Sequence, residues 1–463
     1  MTWQRALGRF GRFSLGHDLR PAERVARRGF VVDDTFREAT RENQARFAQF
    51  VSTSRLFLPG GELPVVGSRL RNPDLAATYG QIARHGVGAL YGGAIGREVV
   101  ATVHNLPLAP GATLTPRPGV MSLADLAGYT APFVAPTHVH YRGDDVYSMA
   151  PSSSGGTTVG EALDILSHFN LQAETPVQQI HHELESTRLA FADRNRYIGD
   201  PRFVGVPEQQ LLSRGFARQR ACLIDPAHAL TSPVAPGDPF AGSGGCTVCR
   251  APGEPPSRHE TDTNHFVVAD RYGDVVSYTN TIEQLGGSGM VVPGRGFLLN
   301  NELTDFDFTP ASPSAPDPNL PAAGKRPRSS MSPTIVLRDG RPFLATGAAG
   351  GATIITTVLG ILVNRIDLGM SLPQAIAAPR ASQRNSATTQ AEPAFIAQST
   401  TPGLEALGQS FAVSNTSPLD PTITIPPTIG TATGLEFLPR HRILAAAEPS
   451  RRGGGAAGVL APR

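Results

Sequence analysis

Thr263 carries a hydroxyl at the start of a strand pattern and directly after a segment that supports no regular element. Residues 231–262 contain Pro233, Pro236, Pro239, Pro252, Pro255 and Pro256 among several glycines, a composition that is open to cleavage. A chain cut between Asp262 and Thr263 leaves Thr263 with a free α-amine. A threonine hydroxyl is a weak nucleophile near neutral pH and needs a base beside it. An α-amine titrates at about 7.7–8.0, so one residue supplies both nucleophile and base. By itself, a threonine before a strand reads as structural more often than as catalytic.

Other residues offer complementary chemistry. Gly350-Gly351 stands just before an apolar helical pattern, where backbone N–H groups point outward at a helix start; a hinge or tight turn reads equally well. Ser329 and Ser330 offer hydroxyl donors. Glu302 and Asp305 offer carboxylates that, by themselves, read as solvated loop acids. Cys246 and Cys249 form a C-x-x-C, but with Cys222 they are too few for a four-ligand zinc site, and no metal or cofactor is expected. His181 and His182 read as solvated or capping residues in the absence of H-E-x-x-H. No G-x-S-x-G and no P-loop occurs, which removes the serine-hydrolase and nucleotide readings.

The run from Thr263 through Asn300-Asn301-Glu302-Leu303-Thr304-Asp305-Phe306 resembles the small-subunit start of the γ-glutamyltransferases (glutathione hydrolases), which are N-terminal-nucleophile hydrolases that cut themselves before a threonine. The similarity continues in Lys325-Arg326-Pro327-Arg328-Ser329-Ser330-Met331-Ser332-Pro333-Thr334 and Gly347-Ala348-Ala349-Gly350-Gly351. Upstream it takes in Met149-Ala150-Pro151-Ser152-Ser153-Ser154-Gly155-Gly156 and Tyr197-Ile198-Gly199-Asp200-Pro201.

The resemblance implies that Thr263 is the nucleophile, hydrogen-bonded by Thr281, with Gly350 and Gly351 forming the oxyanion hole. It implies that Ser329 and Ser330 receive the α-carboxylate of a γ-glutamyl group, and that Glu302 and Asp305 receive its α-ammonium. The implied partners are a glutathione-like small molecule and an acceptor that is water, an amino acid or a peptide. Large and small chains, 1–262 and 263–463, would stay associated after self-cleavage, and no nucleic acid or membrane enters.

The chain also departs from that pattern. Glu283 stands where many relatives have asparagine, and as a further acid it would strengthen ammonium binding or change the acyl preference. The loop 309–325 is short and has no tyrosine, so the lid of some relatives is expected to be absent. The family's glycine-rich N-terminal stretch and its Asp-x-Arg-Glu motif, whose arginine pairs with the substrate carboxylate, find no counterpart; Asp34-Thr35-Phe36-Arg37-Glu38 falls in the wrong place. This predicts a fragment, a mis-started reading frame or a decayed relative. Three readings result: a γ-glutamyl hydrolase or transferase, a related acylase of the cephalosporin or glutaryl type, and a non-catalytic remnant.

The elements that must position these residues are read from periodicity. Residues 266–269 and 275–279 form a hairpin around Asp270-Arg271-Tyr272-Gly273, and 333–337 with 341–346 form another around Asp339-Gly340. Helices are predicted over 22–29 with Pro21 at its start, over 75–95 as a pair broken at Gly86 and Gly88, and after a Ser122 cap. Further helices are predicted over 157–169, 177–197 and 353–363, with a single strand over 141–149 and a loosely ordered tail over 450–463. The alternation suggests a layered α/β domain, which the resemblance sharpens to the four-layer αββα sandwich.

At 463 residues the chain is long enough for a large core or two domains, and its formal net charge of +2 leaves no footprint for a polyanion. Lys325 is the only lysine, which reads as codon bias, since the arginines are scattered and balanced by 39 acids. No signal peptide is visible and no apolar run approaches the ~18 residues of a membrane span. The expected location is cytoplasmic, or secreted or periplasmic if the true start lies upstream.

Overall fold

Asp339 and Gly340 both take positive φ, 50° and 70°, the backbone a two-residue hairpin turn requires. They join β5 (Thr334–Arg338) to β6 (Arg341–Ala349), the central pair of the larger sheet. The computed structural model describes residues 1–241, 263–310, 316–417, 419 and 422–460. It divides into two compact units, and each draws residues from both sides of Thr263.

The larger unit, residues 135–283, 302–416 and 424–463, is a mixed α/β assembly. Its six-stranded antiparallel sheet has the order β8-β7-β6-β5-β2-β1, with β1 Thr137–Tyr141, β2 Asp144–Ser148, β7 Thr431–Leu438 and β8 Arg442–Ala447. The register aligns apolar side chains across the strands: Val139 opposite Val146, Val146 opposite Val336, and Val336 opposite Leu344. One face is covered by α1 (Gly155–Leu166), α2 (Pro176–Tyr197) and α4 (Thr353–Ile366). Val159, Leu163, Phe191, Ile355, Val358 and Leu362 meet the strand residues there in one buried cluster. A further helix, α3 (Arg214–Ala221), packs on α1.

The opposite face receives a second, two-stranded sheet of β3 (Asn264–Ala269) and β4 (Val275–Asn280), which lies on β6 and β7. His265 pairs with Thr279 and Val267 with Ser277, so the inward face beside Thr263 is largely polar. Outward, Phe266, Val268 and Val276 are 45%, 54% and 52% exposed.

The smaller unit comprises residues 1–134, 284–301 and 417–423. Leu15–Arg28 packs along Pro73–His85. The 284–301 segment is held to its helices by side chains bonding backbone, as Thr53 Oγ1 to the Gly289 carbonyl at 2.8 Å and Asn72 Nδ2 to the Gly296 carbonyl at 2.7 Å.

Several sequence expectations need correction. The first long helix begins at Leu15 with Ser14 as its cap and carries Pro21 inside it, because the Ser14 hydroxyl accepts the His17 N–H at 3.2 Å and nucleates the helix upstream of the proline. The expected strand over 141–149 is a hairpin, β1 and β2, turning at Arg142 and Gly143 with φ of 53° and 91°. The 75–95 pattern resolves into Pro73–His85, Gly88–Tyr91 and the start of Ala94–His104. The tail is anchored at its start, where Arg451 is buried, while the described residues 455–460 are exposed and outside any regular element. By contrast, the Ser122 cap forms a full capping box with Asp125.

Candidate active site

Thr263 is half-buried at the entrance to β3, and its Oγ1 donates to Thr281 Oγ1 at 3.3 Å. The antiparallel register dictates that meeting: Asn264 pairs with Asn280, so the next residues outward face each other across the ribbon. Thr281 Oγ1 also accepts the Glu283 N–H at 2.9 Å. Glu283 is buried with φ of 74°, in the left-handed region, and its Oε2 accepts from Thr304 Oγ1 at 3.0 Å. A chain of polar contacts therefore runs from Thr263 through Thr281 and Glu283 to the one-turn 3-10 helix Glu302–Asp305, which carries both acids expected to serve the substrate ammonium. Asp305 is buried, and its carbonyl accepts from Asn319 Nδ2 at 2.7 Å.

Gly350 and Gly351 fill the turn between β6 and α4, with φ of 135° and 60°. A Cβ on Gly350 would lie 2.7 Å from Thr353 Oγ1 and 2.9 Å from Gly430 Cα, so side chains other than hydrogen are shut out. The turn is closed by Thr353 Oγ1 donating to the Gly350 carbonyl at 2.7 Å and Ile354 N–H donating to the Gly351 carbonyl at 2.9 Å. Among the described residues, no protein acceptor takes the N–H of either glycine. Two donors at the start of a 14-residue helix are thus available to an oxyanion.

Ser329 and Ser330 precede β5 and are buried. The Ser154 N–H and Ser154 Oγ both donate to the Ser329 carbonyl at 2.7 Å, and Ser153 Oγ donates to the Met331 carbonyl at 2.7 Å. A Cβ on Gly155 would lie 2.3 Å from that same carbonyl, so the glycine lets the two segments touch. Ser330 Oγ accepts from Arg194 Nη2 at 2.8 Å, and Arg194 Nε donates to Ser154 Oγ at 2.8 Å. Since Ser330 Oγ accepts from the guanidinium, its own proton stays free to donate elsewhere.

Asp200 draws in a third segment. Its Oδ2 accepts the Arg326 N–H at 2.8 Å and Arg202 Nη2 at 2.6 Å. Burial raises its pKa, but the hydrogen bonds from Arg202 and from the Arg326 backbone outweigh it and hold the carboxyl down at about 2. The three runs at 149–156, 197–201 and 325–334, distant in sequence, are one connected structure.

Arg194 and His265 are buried beside these groups without belonging to any motif of the sequence. Arg194 is buried on α2 beside Ala190 and Phe191, and an arginine on the apolar face of a helix is the signal that marks it. His265 follows Thr263 by two residues on the same face of β3, and burial pushes its pKa down to about 4.

His181 and His182 are buried rather than solvated. His181 Nε2 meets the Asp225 carbonyl at 2.8 Å, and His182 Nδ1 meets Glu174 Oε2 at 2.8 Å while stacking on Phe169. Burial lowers the pKa of His181, whose Nδ1 also meets Gln409 Nε2 at 3.2 Å. Asp262, Cys246 and Cys249 lie outside the described residues; Cys222 is disulfide-bonded. Among the described residues no group of three or more His, Cys, Asp or Glu is placed to hold a metal ion, and no helix is long and apolar enough to cross a membrane.

A family model described as Gamma-glutamyltranspeptidase matches residues 1–459. The chain is 37% identical over 379 residues to the glutathione hydrolase proenzyme of Bacillus subtilis (strain 168), covering 81% of this chain and 62% of that protein. It is 34% identical over 386 residues to the glutathione hydrolase proenzyme of Escherichia coli (strain K12), with the same shares, 81% and 62%. The chain thus spans about 62% of the length of these curated relatives. Among solved structures, the cephalosporin acylase from Bacillus halodurans superposes with a TM-score of 0.80 at 26% identity, covering 100% of this chain and 77% of that one.

Proposed function

The chain belongs to the gamma-glutamyltranspeptidase family, and from that membership we propose that it is a self-processing γ-glutamyl transferase or hydrolase that cleaves γ-glutamyl amides such as glutathione. Cleavage of the Asp262–Thr263 bond divides it into parts 1–262 and 263–463, which remain associated. The freed α-amine of Thr263 takes the Oγ1 proton as Oγ1 attacks the γ-carbonyl carbon. The oxyanion that forms is held by the N–H groups of Gly350 and Gly351. On collapse, the C–N bond breaks and the leaving amine takes the proton from the α-ammonium, leaving a γ-glutamyl-threonine ester. Water or an acceptor amine then attacks the ester carbonyl, again giving up its proton to the α-amine; the C–Oγ1 bond breaks and Oγ1 takes that proton back from the α-ammonium, which restores the hydroxyl and the free amine.

Ser329 and Ser330 bind the substrate α-carboxylate in this reading, while Glu302, Asp305 and Glu283 bind its α-ammonium. The contact that carries the proposal is Thr263 Oγ1 to Thr281 Oγ1 at 3.3 Å, because it fixes the nucleophile oxygen by a hydroxyl that is itself fixed by the Glu283 N–H. Thr263→Ala should abolish both the two-band pattern on a denaturing gel and all turnover; an active Thr263→Ala protein would refute the assignment.

The likeness to a cephalosporin acylase favours a second reading, an acylase on the same nucleophile. Turnover of γ-glutamyl-p-nitroanilide against glutaryl-p-nitroanilide separates the two. Only the former requires an ammonium pocket, so Glu283→Gln should raise its KM and leave that of the glutaryl amide unchanged.

A further inference from the structure

His265 stands two residues beyond Thr263 on β3, and the period of two in a strand puts both side chains on the face that meets β6. Its ring lies where residue 347 would carry a side chain: a Cβ on Gly347 would sit 2.3 Å from His265 Cε1 and 2.5 Å from Nε2. Gly347 has no positive φ to explain it; the imidazole occupies the space instead.

The hydrogen bonds assign the state of that ring. Ser277 Oγ donates to the Thr346 carbonyl at 3.1 Å, which commits its proton. The contact of 3.4 Å between Ser277 Oγ and His265 Nε2 therefore has Nε2–H donating, and Nδ1 accepts from Thr279 Oγ1 at 2.9 Å. Thr433 Oγ1 on β7 donates to the His265 carbonyl at 3.4 Å. The groups named around the ring from β4, β6 and β7 carry no charge, and burial alone disfavours the imidazolium.

We propose that His265 is a positioning residue for the nucleophile: its neutral ring, seated on Gly347, sets how the strand carrying Thr263 lies on the strand that leads into Gly350-Gly351. The proposal rests on Thr263 being the nucleophile. Without the ring, β3 keeps its ladder to β4 but loses the hydrogen-bonded wedge that fixes the ribbon on β6. With a methyl group at 347, the ring is displaced from the same side.

The test uses the full chain, with γ-glutamyl-p-nitroanilide as substrate and amide hydrogen exchange over residues 264–269. His265→Ala and Gly347→Ala should each lower kcat at least about tenfold with KM nearly unchanged, as expected when a geometry needed only in the transition state is lost. Both should speed exchange in that strand, and His265→Asn, whose side chain can still meet Thr279, should recover part of kcat. Should His265→Ala fail to fold, Gly347→Ala and His265→Asn decide by the same measures. Unchanged kcat, an effect confined to KM, or exchange like that of the wild type would each overturn the proposal. Thr263→Ala is the control: if it turns over substrate normally the nucleophile assignment fails, while the exchange rates still report whether the ring holds the ribbon.

Discussion

Arg451 Nε lies 2.6 Å from Glu392 Oε1, with both side chains almost fully buried. Glu392 Oε1 also accepts the Ile429 N–H at 2.8 Å, and Arg380 Nη1 donates to the Ile429 and Gly430 carbonyls at 2.7 and 3.1 Å. Glu448 completes the group through Arg451 Nη1 at 2.7 Å and Arg380 Nη2 at 2.9 Å. Two guanidinium groups and two carboxylates thus grip residues 429 and 430, and Gly430 Cα backs directly onto Gly350. A residue in the glycine-rich tail braces the proposed oxyanion turn from behind.

Removing one member leaves buried charge without its counterpart. Arg451→Met is expected to destabilise the protein by ~3–5 kcal/mol. Urea denaturation measures this, and an unchanged midpoint would show the group to be dispensable.

Thr281→Val deletes the hydroxyl that receives Thr263 while keeping the shape of the side chain. One hydrogen bond to a reacting group is worth ~1.5–3 kcal/mol, so kcat should drop about 10- to 100-fold and self-cleavage should slow. Thr281→Ser should retain most activity; equal losses in Val and Ser variants would point to packing instead.

Gly350→Ala places a methyl group 2.7 Å from Thr353 Oγ1 and 2.9 Å from Gly430 Cα, at a φ of 135° that disfavours any side chain. Displacing the turn would disturb the proposed oxyanion donors, and a fall of about 10²–10³ in kcat is expected. Steady-state kinetics on the folded variant, with KM reported separately, checks this.

The pKa of His265 falls from 6.5 to about 4 on folding. Between those values the unfolded chain holds a proton that the folded chain does not, so this group makes stability fall as pH is lowered from about 6.5 to about 4. The shift corresponds to a loss of up to ~3 kcal/mol. Urea midpoints at pH 7, 5.5 and 4.5 should fall more steeply in the wild type than in His265→Asn, and parallel curves would remove the role of burial. Carboxylates with raised values, such as Asp164 at about 7, act in the opposite direction but in both proteins alike.

Local chemistry was legible wherever neighbours in sequence do the work. Asp339-Gly340 announced its hairpin, Ser122 its helix, and Asp270–Gly273 the turn between β3 and β4. The first strand of the large sheet carries a weak sequence signal because His138 and His140 alternate with Thr137, Val139 and Tyr141, which dilutes the apolar pattern until Val146 lies opposite Val139. Nothing local to Arg451 signals its burial, because its partners, Glu392 and the Ile376 carbonyl, lie far upstream.

The amino-acid order alone determined the candidate chemistry of Thr263, the glycine pair at the head of a helix, and the motifs that place this chain in its family. It did so because hydroxyl type, turn residues and periodicity are properties of a few adjacent residues. The tertiary structure decided which of them meet: Thr263 with Thr281, Ser330 with Arg194, His265 with Gly347, and Gly350 with Gly430. Those contacts span 18 to 136 residues of chain, and only the closure of the strands on one another, driven by the buried face between sheet and helices, brings such distant groups within hydrogen-bonding reach.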